Sequence, residues 1–319
     1  MSYREADLSR LRLVSRGARR HKVERGLLAH PPGEDQSFHA FLDSLPDVLA
    51  ARNLRVVIAA VAAAARSRKG VVAMLGGHVI KVGLGPLLGE LIRRGVITHV
   101  AMNGSGAIHD WELAVCGETS EDVAEGLKDG TFGMVRETGD EMNAVIKEAA
   151  SRELGLGEGF ALALKGRTGL PGADASLLLA CARHDVPVTV HAAVGAETIH
   201  QHPAIDAAAL GATTHRDFLR LAGSLPDLHD GGCVLNFGSA VIMPEVFLKA
   251  LTIARNLDQG RPTGFLAADF DMLRHYRPRV NVVERPTQGG GTGIQLTGHH
   301  ELMVPLLVWG VLDALQDDR

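Results

Sequence analysis

Short apolar runs alternate with amphipathic segments along most of the chain, and this rhythm limits the fold more than any other feature. "GVVAML" (70–75) precedes a helical "GPLLGELIRRG" (85–95), and the β-branched "VITHVAMN" (96–103) precedes a long helical stretch through residue 155. The second half repeats the pattern: "ADASLLLACARHD" reads as helix, "VPVTVHA" as strand, "THRDFLRLAGSL" as helix, "GCVLNFG" as strand and "PEVFLKALTIARNL" as helix. "TGFLAADF" and "RVNVVERP" read as further strands, and "HHELMVPLLVWGVLDALQ" closes the chain as a helix. Strands that alternate with helices build βα units, so the expected fold is a Rossmann-like α/β fold: a mostly parallel sheet with helices on both faces. Residues 1–35 are basic and polar and read as an arm; no linker divides residues 36–319, which read as a single domain.

In an open parallel sheet, ligands bind outside the carboxyl ends of the strands. That rule selects five segments: "GGHVIK" (76–81), "NGSGAIHD" (103–110), "HAAVGAETIHQH" (191–202), "NFGSAV" (236–241) and "ADFD" (268–271). In "NGSGAIHD", Asn103 and Gly104 end a strand, Gly106 lets the backbone approach a ligand, and His109 and Asp110 are expected to open the next helix. Asp110 would repel a phosphate there, so it is expected to face a ribose hydroxyl or a substrate amine. His109 is the expected proton carrier, since an unperturbed imidazole titrates near neutrality.

Other motifs narrow the chemistry. "NGSGAIHD" lacks the third glycine of GxGxxG, and no glycine-rich loop ends in Lys followed by Ser or Thr. "QGGGTG" (288–293) reads as a flexible loop, and Thr119 with Asp122 as a helix-start pair. His299 and His300 open the last helix and are expected to face solvent. Cys116, Cys181 and Cys233 show no metal-ligand spacing, and each reads as a small buried hydrophobe in a reducing compartment. No HExxH or GxSxG is present, and the H-x-H of "IHQHP" does not fix a metal by itself. A net charge of −4 and an aromatic content of 4% argue against a nucleic-acid partner. The amino terminus carries too many charges for a signal peptide, and no apolar run approaches the ~20 residues of a membrane helix. A cytoplasmic protein with no membrane partner is expected.

The stretch "AMLGGHVIKVGLGPLLGELIRRGVITHVAMNGSGAIHDWELA" resembles the strand–turn–helix segment of deoxyhypusine synthase, and the order of elements agrees over roughly residues 50–315. "SLLLACARHDVPVTVHAAVGAE", "GGCVLNFGSAVIMPEVFLKALTIARNL" and "HHELMVPLLVWGVLDAL" match the family's later elements in turn. The resemblance implies NAD bound across the strand ends and a homotetramer with sites between subunits. It places the turn Gly77–His78, the turn Asn103–Gly104 with Asp110, and the turn Gly238–Ser239 against the cofactor, and Glu197 near the family's acid after the third strand. From the residues themselves, Asp110, Glu197, Asp269 and Asp271 are expected to hold a cationic substrate, with Asp269 also at the cofactor and His109, Asp110 and Glu197 as the catalytic residues. The position of the family's imine-forming lysine, counted back from Pro305, holds Gln295, and an amide nitrogen cannot form a Schiff base. The resemblance therefore implies the scaffold and a small polar or amine substrate, not deoxyhypusine synthesis. Two alternatives stay open: a metal-assisted hydrolase or lyase using His109, Asp110, His191 and His200, and a non-catalytic small-molecule-binding subunit.

Overall fold

The computed structural model describes residues 3–316. Two helices, α1 (Phe38–Ser44) and α2 (Leu49–Arg66), lead into strand β1 (Val71–Leu75). Then come α3 (Gly77–Lys81), α4 (Gly85–Arg93), β2 (His99–Asn103) and α5 (Gly104–Cys116). Three helices follow without an intervening strand: α6 (Val123–Asp129), α7 (Arg136–Ser151) and α8 (Leu156–Lys165). The second half runs α9 (Leu177–Arg183), β3 (Val188–His191), α10 (Ala207–Ser224), β4 (Cys233–Phe237), α11 (Ile242–Leu257) and β5 (Leu266–Asp271). Short α12 (Tyr276–Pro278) and α13 (Arg285–Thr287) flank a π-helical segment, Arg279–Glu284, before β6 (Thr292–Thr297) and α14 (His300–Ala314).

The six strands form one sheet of order β3-β2-β1-β4-β5-β6, with every pairing parallel. Each central strand is buried on both faces, which explains why its sequence is a continuous apolar run and not an alternation. One face, through Val71, Ala73, Leu75, Leu235 and Phe270, packs on α2, α5, α8, α9 and α14. The other, through Val72, Met74, Val234 and Ala267, packs on α10, α11 and the π-helical segment. Successive strands are added outward on one side of β1 as far as β3 and on its other side from β4 to β6, so the strand order reverses between β1 and β4 and the crevice outside their carboxyl ends is the topological switch point. Among the described residues no helix is long and apolar enough to cross a membrane.

Two segments differ from the sequence reading, for one shared reason. "RVNVVERP" is not a strand: Val282 and Val283 are adjacent in sequence yet both buried against the sheet, which a wide π turn permits and a strand's alternation does not. "QGGGTG" is not simply a loop: its end opens edge strand β6. A Cβ on Gly293 would overlap the Val283 carbonyl oxygen, and one on Gly291 the Phe265 carbonyl. The glycines let the helical segment lie directly on the new strand.

Asp217 on α10 joins two elements by accepting from the backbone N–H groups of Gly157 (2.7 Å) and Val190 (2.8 Å). Its other oxygen is buried without a partner, and burial pushes the carboxyl up to about 7 against the pull of those bonds. A folded-state value raised above the ordinary 3.8 means the native protein holds a proton that the unfolded chain releases first. That stability is present below about pH 4 and is lost as pH rises through about 7. Asp217→Asn, which does not titrate, is expected to gain on the wild type by up to ~1.4 kcal/mol per pH unit between those limits. Urea unfolding at several pH values checks this, and parallel curves for the two proteins would contradict it.

Candidate functional site

The five expected segments do gather at the carboxyl edge of the sheet. At the switch point the turns after β1 and β4 touch: a Cβ on Gly76 would overlap the Gly238 carbonyl oxygen and lie 2.8 Å from its carbon. Gly238 takes φ +64°, and a Cβ there would meet the His300 ring. His300 is buried, not solvent-facing as the sequence suggested; its Nε2 lies 3.1 Å from the Phe270 carbonyl oxygen and its Nδ1 has no partner. His78 lies beside it, with ring centroids 5.5 Å apart. Ser239 accepts from Met243 N at 3.1 Å and so caps α11, whose N-cap residue, Val241, makes no side-chain bond.

Beside these turns a polar ladder crosses three strands in register. Asn236, Asp269 and Gln295 are direct neighbours on β4, β5 and β6. Asn236 Nδ2 donates to Asp269 Oδ1 (2.8 Å) and to the Ser239 carbonyl (3.1 Å), while Gln295 Nε2 donates to Asp269 Oδ2 (3.4 Å). Burial pushes Asp269 up to about 6, opposed by the two amides. Asn236 Oδ1 remains buried without a partner. Sequence reasoning missed Asn236; its signal was a lone polar residue inside the apolar run "CVLNF".

On the β2 side of the switch point, a cleft of about 470 Å³ is lined by Lys81, Ser105, His109, Glu112, Thr119 and Glu197 among others. Gly77 packs under it, since a Cβ there would lie 2.7 Å from Ser105 Oγ and 3.3 Å from the His109 ring. His109 Nδ1 lies 2.8 Å from Thr119 Oγ1, which donates to Glu112 Oε2 at 2.5 Å. Thr138 holds the other oxygen of Glu112 at 3.1 Å. The carboxylate thus orients the hydroxyl, and the hydroxyl orients the imidazole. Burial, then the nearby Lys81 charge, pushes His109 down to about 4, so it is neutral near pH 7 and able to accept a proton.

Glu197 is buried beneath the start of α5; a Cβ on Gly104 would lie 2.6 Å from its carboxyl carbon. Both oxygens accept from Ala193 N at 3.2 Å, and His200 Nδ1 lies 3.1 Å from Oε2. That same Nδ1 accepts from Gly195 N at 3.2 Å. Burial raises Glu197, against the pull of the backbone N–H groups it accepts from, and lowers His200.

Several expected positions need correction. His109 and Asp110 do not open α5: the helix begins at Gly104, capped by Asn103 Oδ1 accepting from Gly106 N at 3.1 Å. Asp110 lies two turns inside, fully buried, and does not face the cleft. Its carboxylate accepts from Ser176 Oγ (2.6 Å), Leu177 N (2.7 Å) and Leu178 N (3.0 Å), so it caps α9. Thr119 serves the His109 chain and not a helix start, where Asp122 alone caps α6. Cys116 is exposed, unlike Cys181 and Cys233. Among the described residues no group of three or more His, Cys, Asp or Glu could hold a metal ion, so His109, Asp110, His191 and His200 do not form the metal centre the sequence left open.

No family model and no curated sequence matches the chain. Among solved structures, the ternary complex of AgrE with ornithine and NAD+ is similar at TM-score 0.54 and 17% identity, covering 85% of this chain and 35% of that one. The apo arginine dihydrolase ArgZ, from the ornithine–ammonia cycle in cyanobacteria, is similar at TM-score 0.50 and 14% identity, covering 85% and 33%. A candidate deoxyhypusine synthase from Entamoeba histolytica matches at TM-score 0.48 and 10% identity over 87% and 93%, too distant to carry an argument. The chain spans about a third of the length of AgrE and ArgZ, and at these identities what it shares with them is the fold.

Proposed function

We propose that this chain is an enzyme that binds NAD or a related nucleotide at the β1–β4 crossing and acts on a small amine-bearing substrate in the adjoining cleft. The observation that carries the reading is the strand order, with two glycine turns in backbone contact at the switch point. The residues present fit such a group. The turn Gly238–Val241 leads into a 16-residue helix whose N-cap residue makes no side-chain bond; Ser239 takes the N–H of Met243, and the rest of that first turn is a place for a phosphate. The unpartnered His300 Nδ1 and Asn236 Oδ1 lie nearby, buried and able to pair with polar ligand atoms. Gly77, His78, Gly238 and Ser239 would line the nucleotide, and Asp269 would meet a ribose hydroxyl or a substrate amine. The chain also shares the fold of about a third of AgrE, a protein whose structure holds NAD+ and ornithine. When bound, the nucleotide would supply a hydride acceptor.

The protein's own residues supply the rest. The cleft carries Glu112, Glu118, Glu121 and Glu197 against a single lysine, Lys81, which favours a cationic substrate. His109 is the proposed base, and Thr119 and Glu112 are positioning residues. Asn103 and Gly104 hold the start of α5 over the cleft and are retained as supports.

Calorimetric titration with NAD+ and NADH tests the nucleotide, and saturable binding of one molecule per chain is the expected result. No heat and no thermal shift with either nucleotide at millimolar concentration would remove the enzyme reading and favour a small-molecule-binding subunit. If turnover is found with putrescine, spermidine or L-ornithine, His109→Gln is expected to slow it by roughly 10²–10⁴-fold while NAD+ affinity stays within twofold. A loss of nucleotide affinity equal to the loss of rate would make His109 a binding residue instead.

A further inference from the structure

At the amino ends of β2 and β3, across the sheet from the candidate site, a cavity of about 620 Å³ opens among α8, α9 and the end of α10. Its walls are apolar where Leu162, Cys181 and Val186 line it, and its lining carries charges of both signs. Arg220 pairs with Glu158 at 2.5 Å, Lys165 reaches the Ala182 carbonyl at 2.5 Å, and Asp185 and Asp227 add acid. Polar groups that lead into the sheet also line it: His99, Thr189 and Ser224.

From there a buried hydrogen-bond chain runs along one face of the sheet. Ser224 Oγ lies 2.9 Å from His99 Nδ1, His99 Nε2 lies 3.0 Å from Thr189 Oγ1, and Thr189 Oγ1 lies 3.0 Å from His191 Nε2. His191 is the last residue of β3 and the register partner of Asn103, so the chain ends beside the candidate site. Burial pushes His99 down to about 4 and His191 to about 3, which keeps both rings neutral near pH 7. A hydroxyl between two neutral imidazoles must donate to one and accept from the other. Only two orderings satisfy the chain. In the first, Ser224 donates to His99 Nδ1, His99 Nε2–H donates to Thr189, and Thr189 donates to His191 Nε2. In the second, every bond is reversed, and Ser224 Oγ donates its hydrogen bond to the Leu221 carbonyl, 2.9 Å away.

We propose that this cavity is a second ligand site, for a small zwitterion of the amino-acid class, and that the histidine chain reports its occupancy to the end of β3 as a change of tautomer. The opposed charges match an ammonium and a carboxylate on one small molecule, and the apolar walls accept its side chain. A ligand carboxylate accepting from Ser224 Oγ selects the second ordering, because Ser224 can then only accept from His99 Nδ1–H. Each group keeps one proton in both orderings. Solvent takes the proton released from His191 Nδ1 and returns one through Ser224, so the chain reverses with no change of charge.

Imidazole nitrogen NMR on protein labelled with ¹⁵N-histidine tests this without reference to nucleotide binding, so its failure and that of the enzyme reading are distinguishable. Glycine, L-leucine, L-lysine and L-glutamate would be titrated singly to millimolar concentration. At least one is expected to shift the His99 nitrogens saturably and to move the proton of His191 from Nδ1 to Nε2. Leu162→Arg, at the exposed wall of the cavity, is expected to weaken that binding at least tenfold. Thr189→Val is expected to leave the thermal shift with the same amino acid in place while His191 no longer responds. No saturable change at His99 with any of the four, binding that survives Leu162→Arg unchanged, or a His191 response that survives Thr189→Val would each overturn the proposal.

Discussion

Asp110→Ala is expected to lower the unfolding free energy by about 2–4 kcal/mol, with no change in the affinity of the remaining folded protein for any ligand at the strand ends. The carboxylate is fully buried and satisfies Ser176 Oγ and the N–H groups of Leu177 and Leu178. Ser176 Oγ in turn accepts from Leu179 N at 3.1 Å, so the first turn of α9 depends on two side chains, one held by the other. Alanine removes the acceptor and leaves three donors in a space closed to water. Burial also pushes Asp110 up to about 6, and the three donors limit how far it rises. Asp110→Asn keeps one acceptor oxygen and is expected to cost about half as much. Urea denaturation measures the loss, and calorimetry with NAD+ measures affinity. An alanine variant of wild-type stability with weakened ligand binding would return Asp110 to the site.

Asp110 also shows what could and could not be read from the residues. The turn "NGSGAIHD" was legible as a strand-end feature, because Asn103 and the glycines after it are local signals for a cap and a tight approach. Which way Asp110 pointed was not legible, since its partners lie 66 to 68 residues away on a helix with its own independent pattern. The same limit hid Asn236, whose meaning depends on Asp269 and Gln295 lying beside it in the sheet. Strand order follows the same rule. The alternation of apolar runs and amphipathic helices implied parallel strands, but the sequence of "RVNVVERP" and "QGGGTG" exchanged the roles of helix and strand. There β-branched valines pack in a π turn, and glycines serve a close backbone contact and not a flexible loop. His109 was singled out as the expected proton carrier by residue type alone. Thr119 and Glu112, which orient it, belong to a loop and to the next turn of α5, and only the folded chain brings the three together.

Gly76→Ala is expected to cost about 1–3 kcal/mol of stability and to weaken NAD+ binding at least tenfold, and Gly77→Ala is expected to do much less of both. The two glycines are adjacent but meet different kinds of neighbour. A methyl at Gly76 runs into the Gly238 carbonyl and comes within 3.2 Å of Ser239 N, all main-chain atoms. Those atoms are themselves fixed, because Gly76 N donates to the Phe237 carbonyl at 2.9 Å and Gly238 N to the Phe270 carbonyl at 3.0 Å. Relief therefore requires the turns after β1 and β4 to separate, which widens the crevice where the nucleotide is proposed to lie. At Gly77 the closest atom is Ser105 Oγ, the end of a side chain that can rotate away. Gly83→Ala serves as a control for backbone strain alone, since Gly83 takes φ +78° with open space around it. It is expected to lose about 1 kcal/mol of stability and no affinity. Thermal unfolding and NAD+ titration of the three variants give the comparison. Equal NAD+ affinities in Gly76→Ala and Gly77→Ala, with Gly76→Ala destabilised, would move the nucleotide away from the β1–β4 crossing and leave that contact a purely structural one.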